Sequence, residues 1–250
     1  LSTQDQSSAA SDVYKRQKKR GSKNSQKIIM KSMILAAGFG KRLGELTKRK
    51  PKPLLEVKGK PLIDYHIEKL IFAGFKTIAI NTHYLGAQIS DHVINNFGQK
   101  IEIHISHENQ ILGTGGGIKK AVSSFGDEDI VVINSDIYSD LDYRCFRNFS
   151  ANTLFVVPAN QPGSGDFYVE EKLISLEGDK NYTWTGFSII KKETLNKNLN
   201  SSFHYWHDCL KPLANNAKLN AEILDINWYD VGNAETVSYT HLRAHETYDH

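Results

Sequence analysis

The 250-residue chain is 40% hydrophobic and 24% charged, values of a globular protein with enough apolar side chains for a sizeable core, which excludes disordered and fibrous classes. Its formal net charge of +3 is unevenly placed: residues 1–29 hold seven Lys and Arg against two Asp, so the rest sums to −2 and the overall balance is no argument for a nucleic-acid partner. Two distant cysteines, Cys145 and Cys209, exclude a disulfide framework, and no apolar run approaches the ~18 residues of a membrane span, so a soluble, cytoplasmic protein is expected.

Residues 1–29 are polar and without apolar periodicity, the composition of a disordered tail. "SSAASDVYKRQ" (7–17) and "VSYTHLRAHETYDH" (237–250) resemble translated sequencing-adapter fragments, so both flanks are expected to be foreign and the native domain to span residues 30–236. Within it, strands are predicted at 32–37, 76–81, 101–105 and 130–134. Helices are predicted between them at 61–74, 86–97 and 114–125. This β-α-β-α-β-α-β order implies a doubly wound, mostly parallel α/β sheet over residues 30–150. After Leu154 the pattern turns β-rich, with strands at 153–158, 167–170, 173–177, 183–190, 219–225 and 227–230 and one helix near 203–215. Residues 151–236 are therefore read as a β-rich cap on the same core.

The first strand opens into "GFGKRLGELTKRKPKPL" (38–54), which crowds Lys41, Arg42, Lys48, Arg49, Lys50 and Lys52 together. Ligands of open α/β sheets sit at the carboxyl ends of strands, and glycines there present backbone N–H groups to phosphate oxygens. Leu43 stands where a dinucleotide fingerprint needs its third glycine, and no Walker A spacing is present. A glycine pair after a strand is by itself a tight turn. Pro51 and Pro53, which stiffen the chain on either side of Lys52, argue for more than solvated charge.

"LAAGFGKRLGELTKRKPKPLLEVKGKPLI" (35–63) resembles the signature of the sugar-1-phosphate nucleotidyltransferases, and "NTHYL", "LGTGGG", "NSD", "GDF" and "WYDVG" follow in order, so that the resemblance covers essentially residues 30–236. It implies a Rossmann-like, GT-A-like fold whose cap holds the sugar, and joining of a nucleoside triphosphate to a sugar 1-phosphate with release of pyrophosphate. It further implies catalytic Arg42 and Lys52, with Leu35, Ala37, Gly38, Gly40, Lys41, Gly115 and Asn134 on the nucleotide and Asp166 and Gly186 on the sugar. Asp136 and Asp230 are the implied ligands of Mg²⁺. An Asp after a strand is otherwise a turn or helix cap. UTP is the favoured nucleotide, because the chain is most similar to the short bacterial N-acetylmuramate α-1-phosphate uridylyltransferases, which reuse cell-wall muramic acid. "LGTGG" and "NTHYL" lean instead towards mannose-1-phosphate guanylyltransferases, and the family's "E-K-P" lysine has no clear counterpart around Glu177-Gly178-Asp179-Lys180. A nucleotide-sugar-binding regulator without turnover is the reading from another class. A monomer or small homo-oligomer is expected, with no nucleic acid and no membrane among its partners. In "FHYWHDC" (203–209) the aromatic residues point to a packing face rather than a zinc site.

Overall fold

Short β-branched runs that alternate between two faces become strands, and the amphipathic stretches between them become covering helices. The computed structural model describes residues 31–232. The flanks expected at 1–29 and 237–250 lie outside the described residues.

In chain order, β1 (Lys31–Leu35) leads into two 3-10 turns, Lys41–Thr47 and Lys52–Leu54, and the small ribbon of β2 (Glu56–Val57) and β3 (Lys60–Pro61). Then come α1 (Leu62–Phe72), β4 (Thr77–Thr82), α2 (Gly86–Phe97), β5 (Glu102–His107), α3 (Gly113–Ala121), β6 (Asp129–Asn134) and β7 (Ile137–Ser139). The second half holds a 3-10 turn (Tyr143–Asn148), β8 (Thr153–Pro158), β9 (Tyr168–Glu170), β10 (Leu173–Ser175), β11 (Tyr182–Lys191) and α4 (Lys192–Asn196). A π-helical turn (Tyr205–Leu210), α5 (Lys211–Asn215), β12 (Asn220–Ile223) and β13 (Trp228–Asp230) complete it.

Nine strands form one mixed sheet in the order β5-β4-β1-β6-β11-β8-β12-β10-β9. β5, β4, β1 and β6 are parallel, whereas β11 runs antiparallel to both β6 and β8. The β-rich second half thus continues the sheet by covering the edge of β6, whose N–H and C=O groups would otherwise be unpaired. The chain leaves β1 for β4 on one side and returns to β6 on the other. This makes the carboxyl end of β1 the switch point at which doubly wound sheets bind ligands.

Side chains alternate cleanly across the sheet. Ile34, Ile80, Val131 and Ile133 join Ile63, Ile67 and Leu70 of α1 and Ile89 and Val93 of α2 in one core cluster. Met33, Ala79 and Val132 join Ile118 of α3 with Phe203, Tyr205 and Leu210 in the other. The predicted helix 203–215 is divided. Pro212 has no N–H to return to the turn before it, and the chain opens into a π turn at Tyr205–Leu210 before α5 resumes. The predicted helix 114–125 stops at Ala121.

Candidate functional site

Beyond Leu35 the chain turns over the carboxyl edge of the sheet, and a chain of hydrogen bonds fixes that turn. The Ala36 N–H donates to Asn81 Oδ1 at 2.9 Å, Asn81 Nδ2 donates to Glu108 Oε1 at 2.7 Å, and Glu108 Oε2 accepts the Leu112 N–H at 2.9 Å. The ends of β1, β4 and β5 and the entry of α3 are thereby held together by two polar side chains, Asn81 and Glu108, that are almost fully buried. Gly40 stands at φ 65°, a left-handed conformation that favours glycine, and its carbonyl accepts from the Leu43 N–H (2.9 Å) and from Thr47 Oγ1 (3.1 Å).

The cations of this loop separate by environment. Lys48 pairs with Glu45 and Lys50 with Glu56 at the surface, and Lys41 lies 5.1 Å from the Phe39 ring centroid. Lys52, held in its 3-10 turn between the two prolines, is only 8% exposed, and its Nζ donates to Asp136 Oδ2 at 2.6 Å. Arg42 is exposed beside Gly232, where its Nη2 comes 3.3 Å from the position a Cβ would take.

Asp136 and Asp230, 94 positions apart, are brought together by the antiparallel pairing of β7 with β13. Asp230 lies opposite Ile137, and the Val231 N–H donates to the Asp136 carbonyl at 2.9 Å. Burial, then the neighbouring Asp136 charge, raises the pKa of Asp230 above its ordinary value, with Lys52 and Arg42 opposing. Asp230 Oδ1 is buried without a hydrogen-bond partner. Two neighbouring carboxylates and one orphaned carboxylate oxygen suit a hard divalent cation. Among the described residues no three His, Cys, Asp or Glu side chains cage a metal, so such a cation would complete its shell with phosphate oxygens and water.

Leu35, Ala37, Gly38, Lys52, Asn134 and Asp136, all predicted from the sequence, line a cavity of about 370 Å³ at this edge. Gly186 adjoins it at φ 83°, in the bulge of β11 between Trp184 and Ser188, where an added Cβ would lie 3.1 Å from Asn134 Nδ2. Gly40, Lys41, Arg42 and Asp230 are not among the lining residues. Gly115 is placed differently: its N–H donates to the Phe203 carbonyl at 3.0 Å, and a Cβ there would meet the Phe203 ring at 2.3 Å, so it seats α3 on the 203–210 segment. Gly113 and Thr114 take the cavity wall instead. Asp166 lines a second cavity of about 470 Å³ with Lys180, Trp184, Trp206 and Lys211, and its Oδ2 accepts the Trp184 N–H at 2.9 Å.

Sequence reasoning missed Asn81, Glu108, Ser135 and His204 in the first cavity and Lys180, Trp184, Trp206 and Lys211 in the second. Asn81 carried a usable signal, since it ends a strand as Asn134 does. His204 and Trp206 were hidden in a stretch read as packing; Phe203 and Tyr205 are indeed buried, but the residues between and beyond them open onto the two cavities.

A family profile described as Nucleotidyl transferase matches residues 31–156. An N-acetylmuramate alpha-1-phosphate uridylyltransferase from Neisseria meningitidis serogroup B is 44% identical over 176 residues, 66% of this chain and 76% of that protein. An enzyme of the same name from Caulobacter vibrioides is 40% identical over 42% of this chain and 45% of its own length, and a mannose-1-phosphate guanyltransferase from Hypocrea jecorina is 34% identical over 53% and 39%. In fold, the chain is similar to HddC from Yersinia pseudotuberculosis complexed with GMP-PN (TM-score 0.70, 24% identity, 86% of this chain and 99% of that one). It is equally similar to UDP-glucose pyrophosphorylase complexed with UDP-glucose (TM-score 0.70, 19% identity, 87% and 99%). The matching family profile and the 44% identity to a uridylyltransferase show that the chain belongs to the nucleotidyl transferase family, among the sugar-1-phosphate nucleotidyltransferases.

Proposed function

We propose that this enzyme transfers a uridylyl group from UTP to N-acetylmuramate 1-phosphate, giving UDP-N-acetylmuramate and pyrophosphate in the cytoplasm, in the reuse of bacterial cell-wall muramic acid. The observation that carries the choice of substrates is the 44% identity to the Neisseria meningitidis uridylyltransferase over three quarters of its length. The guanylyltransferase reading, with mannose 1-phosphate, is favoured only by shorter and weaker likenesses such as that to the Hypocrea jecorina protein.

In the reaction an oxygen of the sugar phosphate attacks the α-phosphorus in line. The new O–P bond forms as the bond from the α-phosphorus to the bridging oxygen breaks, and that oxygen leaves with pyrophosphate. No group on the protein is covalently modified, so catalysis is positioning and charge stabilisation. The backbone from Ala37 to Gly38 borders the triphosphate, and Arg42 meets the leaving pyrophosphate. The Lys52 ammonium, already desolvated beside Asp136, is positioned to donate to the phosphate oxygens on which charge accumulates. Losing one such donor costs about 3 kcal/mol of transition-state stabilisation, or roughly a hundredfold to thousandfold in rate. Asp136 and Asp230 would hold Mg²⁺, which when bound supplies positive charge to the phosphate oxygens.

The test is pyrophosphate release with UTP, GTP, dTTP and CTP, each crossed with N-acetylmuramate, N-acetylglucosamine, glucose and mannose 1-phosphates. UTP with N-acetylmuramate 1-phosphate is expected to give the highest kcat/KM. Preference for GTP and mannose 1-phosphate would replace the substrates while keeping the reaction, and no turnover in any pair from folded protein would favour the regulatory reading.

A further inference from the structure

The cavity around Asp166 carries more positive charge than a neutral sugar calls for. Its charged walls are the Asp166 carboxylate and the Lys180 and Lys211 ammonium groups, and one carboxylate oxygen is already occupied by the Trp184 N–H. Neither ammonium has a hydrogen-bond or ion-pair partner among the described residues. Some other lysines of this chain are tied down: Lys119 and Lys120 donate to backbone carbonyls, and Lys50 and Lys60 to glutamates. The lysine pair is assembled from separate elements. The Lys180 carbonyl accepts the Gly165 N–H at 2.8 Å, which ties that segment to Asp166, whereas Lys211 opens α5 just after the π turn that brings Trp206 to the same cavity. Single π turns are uncommon and gather at functional sites.

Two chain segments join this cavity to the nucleotide cavity. On β11, Trp184 borders one and Gly186 adjoins the other, and on the π-turn segment His204 borders the nucleotide cavity and Trp206 this one. A ring lying there with its phosphate towards Lys52 and Asp136 would leave Lys180 and Lys211 for whatever else the sugar carries, with indole faces available to its C–H groups.

We infer that Lys180 and Lys211 together bind a carboxylate substituent of the sugar, so that this cavity selects an acidic sugar 1-phosphate over its uncharged counterpart. The inference rests on the reading of the chain as a sugar-1-phosphate nucleotidyltransferase, and it assigns the lactyl carboxylate of N-acetylmuramate to these two side chains.

The experiment compares N-acetylmuramate 1-phosphate with its lactyl methyl ester, which keeps the shape and removes the charge, in UTP-dependent pyrophosphate release. Wild type is expected to favour the acid on the order of tenfold or more in kcat/KM, the worth of hydrogen bonds to a charged group. The double variant Lys180→Met/Lys211→Met brings that ratio near one, and Lys211→Arg largely keeps it. Both side chains are solvent-exposed, and a thermal melt checks that the variants remain folded. Equal use of acid and ester by wild type overturns the inference. So does a double variant that keeps the wild-type ratio, or one that slows both substrates by the same factor, because the lysines would then serve the phosphate that both carry. Wild type inactive with every nucleotide and sugar overturns the parent reading and this inference with it, whereas activity on the acid with an unchanged ratio overturns this inference alone.

Discussion

Asp230 is the residue at which structure and proposed chemistry press hardest on each other. Its folded pKa is raised by burial and by Asp136, so the folded protein binds that proton more readily than the unfolded chain does. Stability is therefore lost as pH rises through the folded value, a cost of ionisation that a bound cation would relieve. Asp230→Asn removes the charge at nearly constant shape. Without divalent cations the variant is expected to melt at or above the wild-type temperature at pH 8, with the difference shrinking as pH falls towards 4. Its pyrophosphate release should drop at least a hundredfold. Added Mg²⁺ raises the wild-type Tm and leaves the variant's unchanged; melts at pH 5 and pH 8 with and without the metal check all of this. A variant with full turnover would remove Asp230 from the metal site. From spacing alone Asp136 and Asp230 read as turn residues, and only the resemblance picked them out. The pairing of β7 with β13 that joins them is a contact between distant parts of the chain, which no local pattern encodes.

Elements were legible where hydrophobic period and punctuation agree. The helix at 86–97 and the strand at 153–158 have the bounds the sequence predicts, and the π turn was not legible because Pro212 acts on a helix whose other signals are continuous. The glycines at the entries of such elements looked alike in sequence, and the structure separates them. Gly38 lines the sheet-edge cavity proposed to take the nucleotide, and a Cβ there would meet nothing within 4 Å. Gly115 sits inside α3, where a Cβ would meet the buried Phe203 ring at 2.3 Å and the Tyr205 amide nitrogen at 3.1 Å. Gly38→Ala is accordingly expected to change stability by no more than about 0.5 kcal/mol while raising the KM for nucleotide, because the added methyl group occupies ligand space. Gly115→Ala is expected to cost about 1–3 kcal/mol through overpacking, with nucleotide KM less affected than for Gly38→Ala. Urea midpoints and initial rates on the two variants decide it, and a stable Gly115→Ala with impaired nucleotide binding would return Gly115 to the cavity wall.

At the scale of the whole molecule, the change of pattern after Leu154 was visible in the sequence, but the place of the later strands in the sheet was not. β11 lies between β6 and β8, and it carries Phe187 into a cluster with His66, Tyr143 and Phe146 of the first half. Nothing in the run Tyr182–Lys191 names its partner; the register is set when β6 exposes an unpaired edge and an apolar face of matching length. The site inherits this arrangement, since Lys52 and Asp136 come from one half and Asp166, Gly186 and Asp230 from the other. If the halves share one core, they must unfold together. All three tryptophans, Trp184, Trp206 and Trp228, lie in the second half, so their fluorescence reports on that half, while far-UV circular dichroism reports on the entire chain. Urea unfolding followed by both probes is expected to give one coincident transition. A fluorescence midpoint separated from the dichroism midpoint would mean that the β-rich half melts by itself, and that the two carboxylates at the sheet edge are joined only while it stays docked.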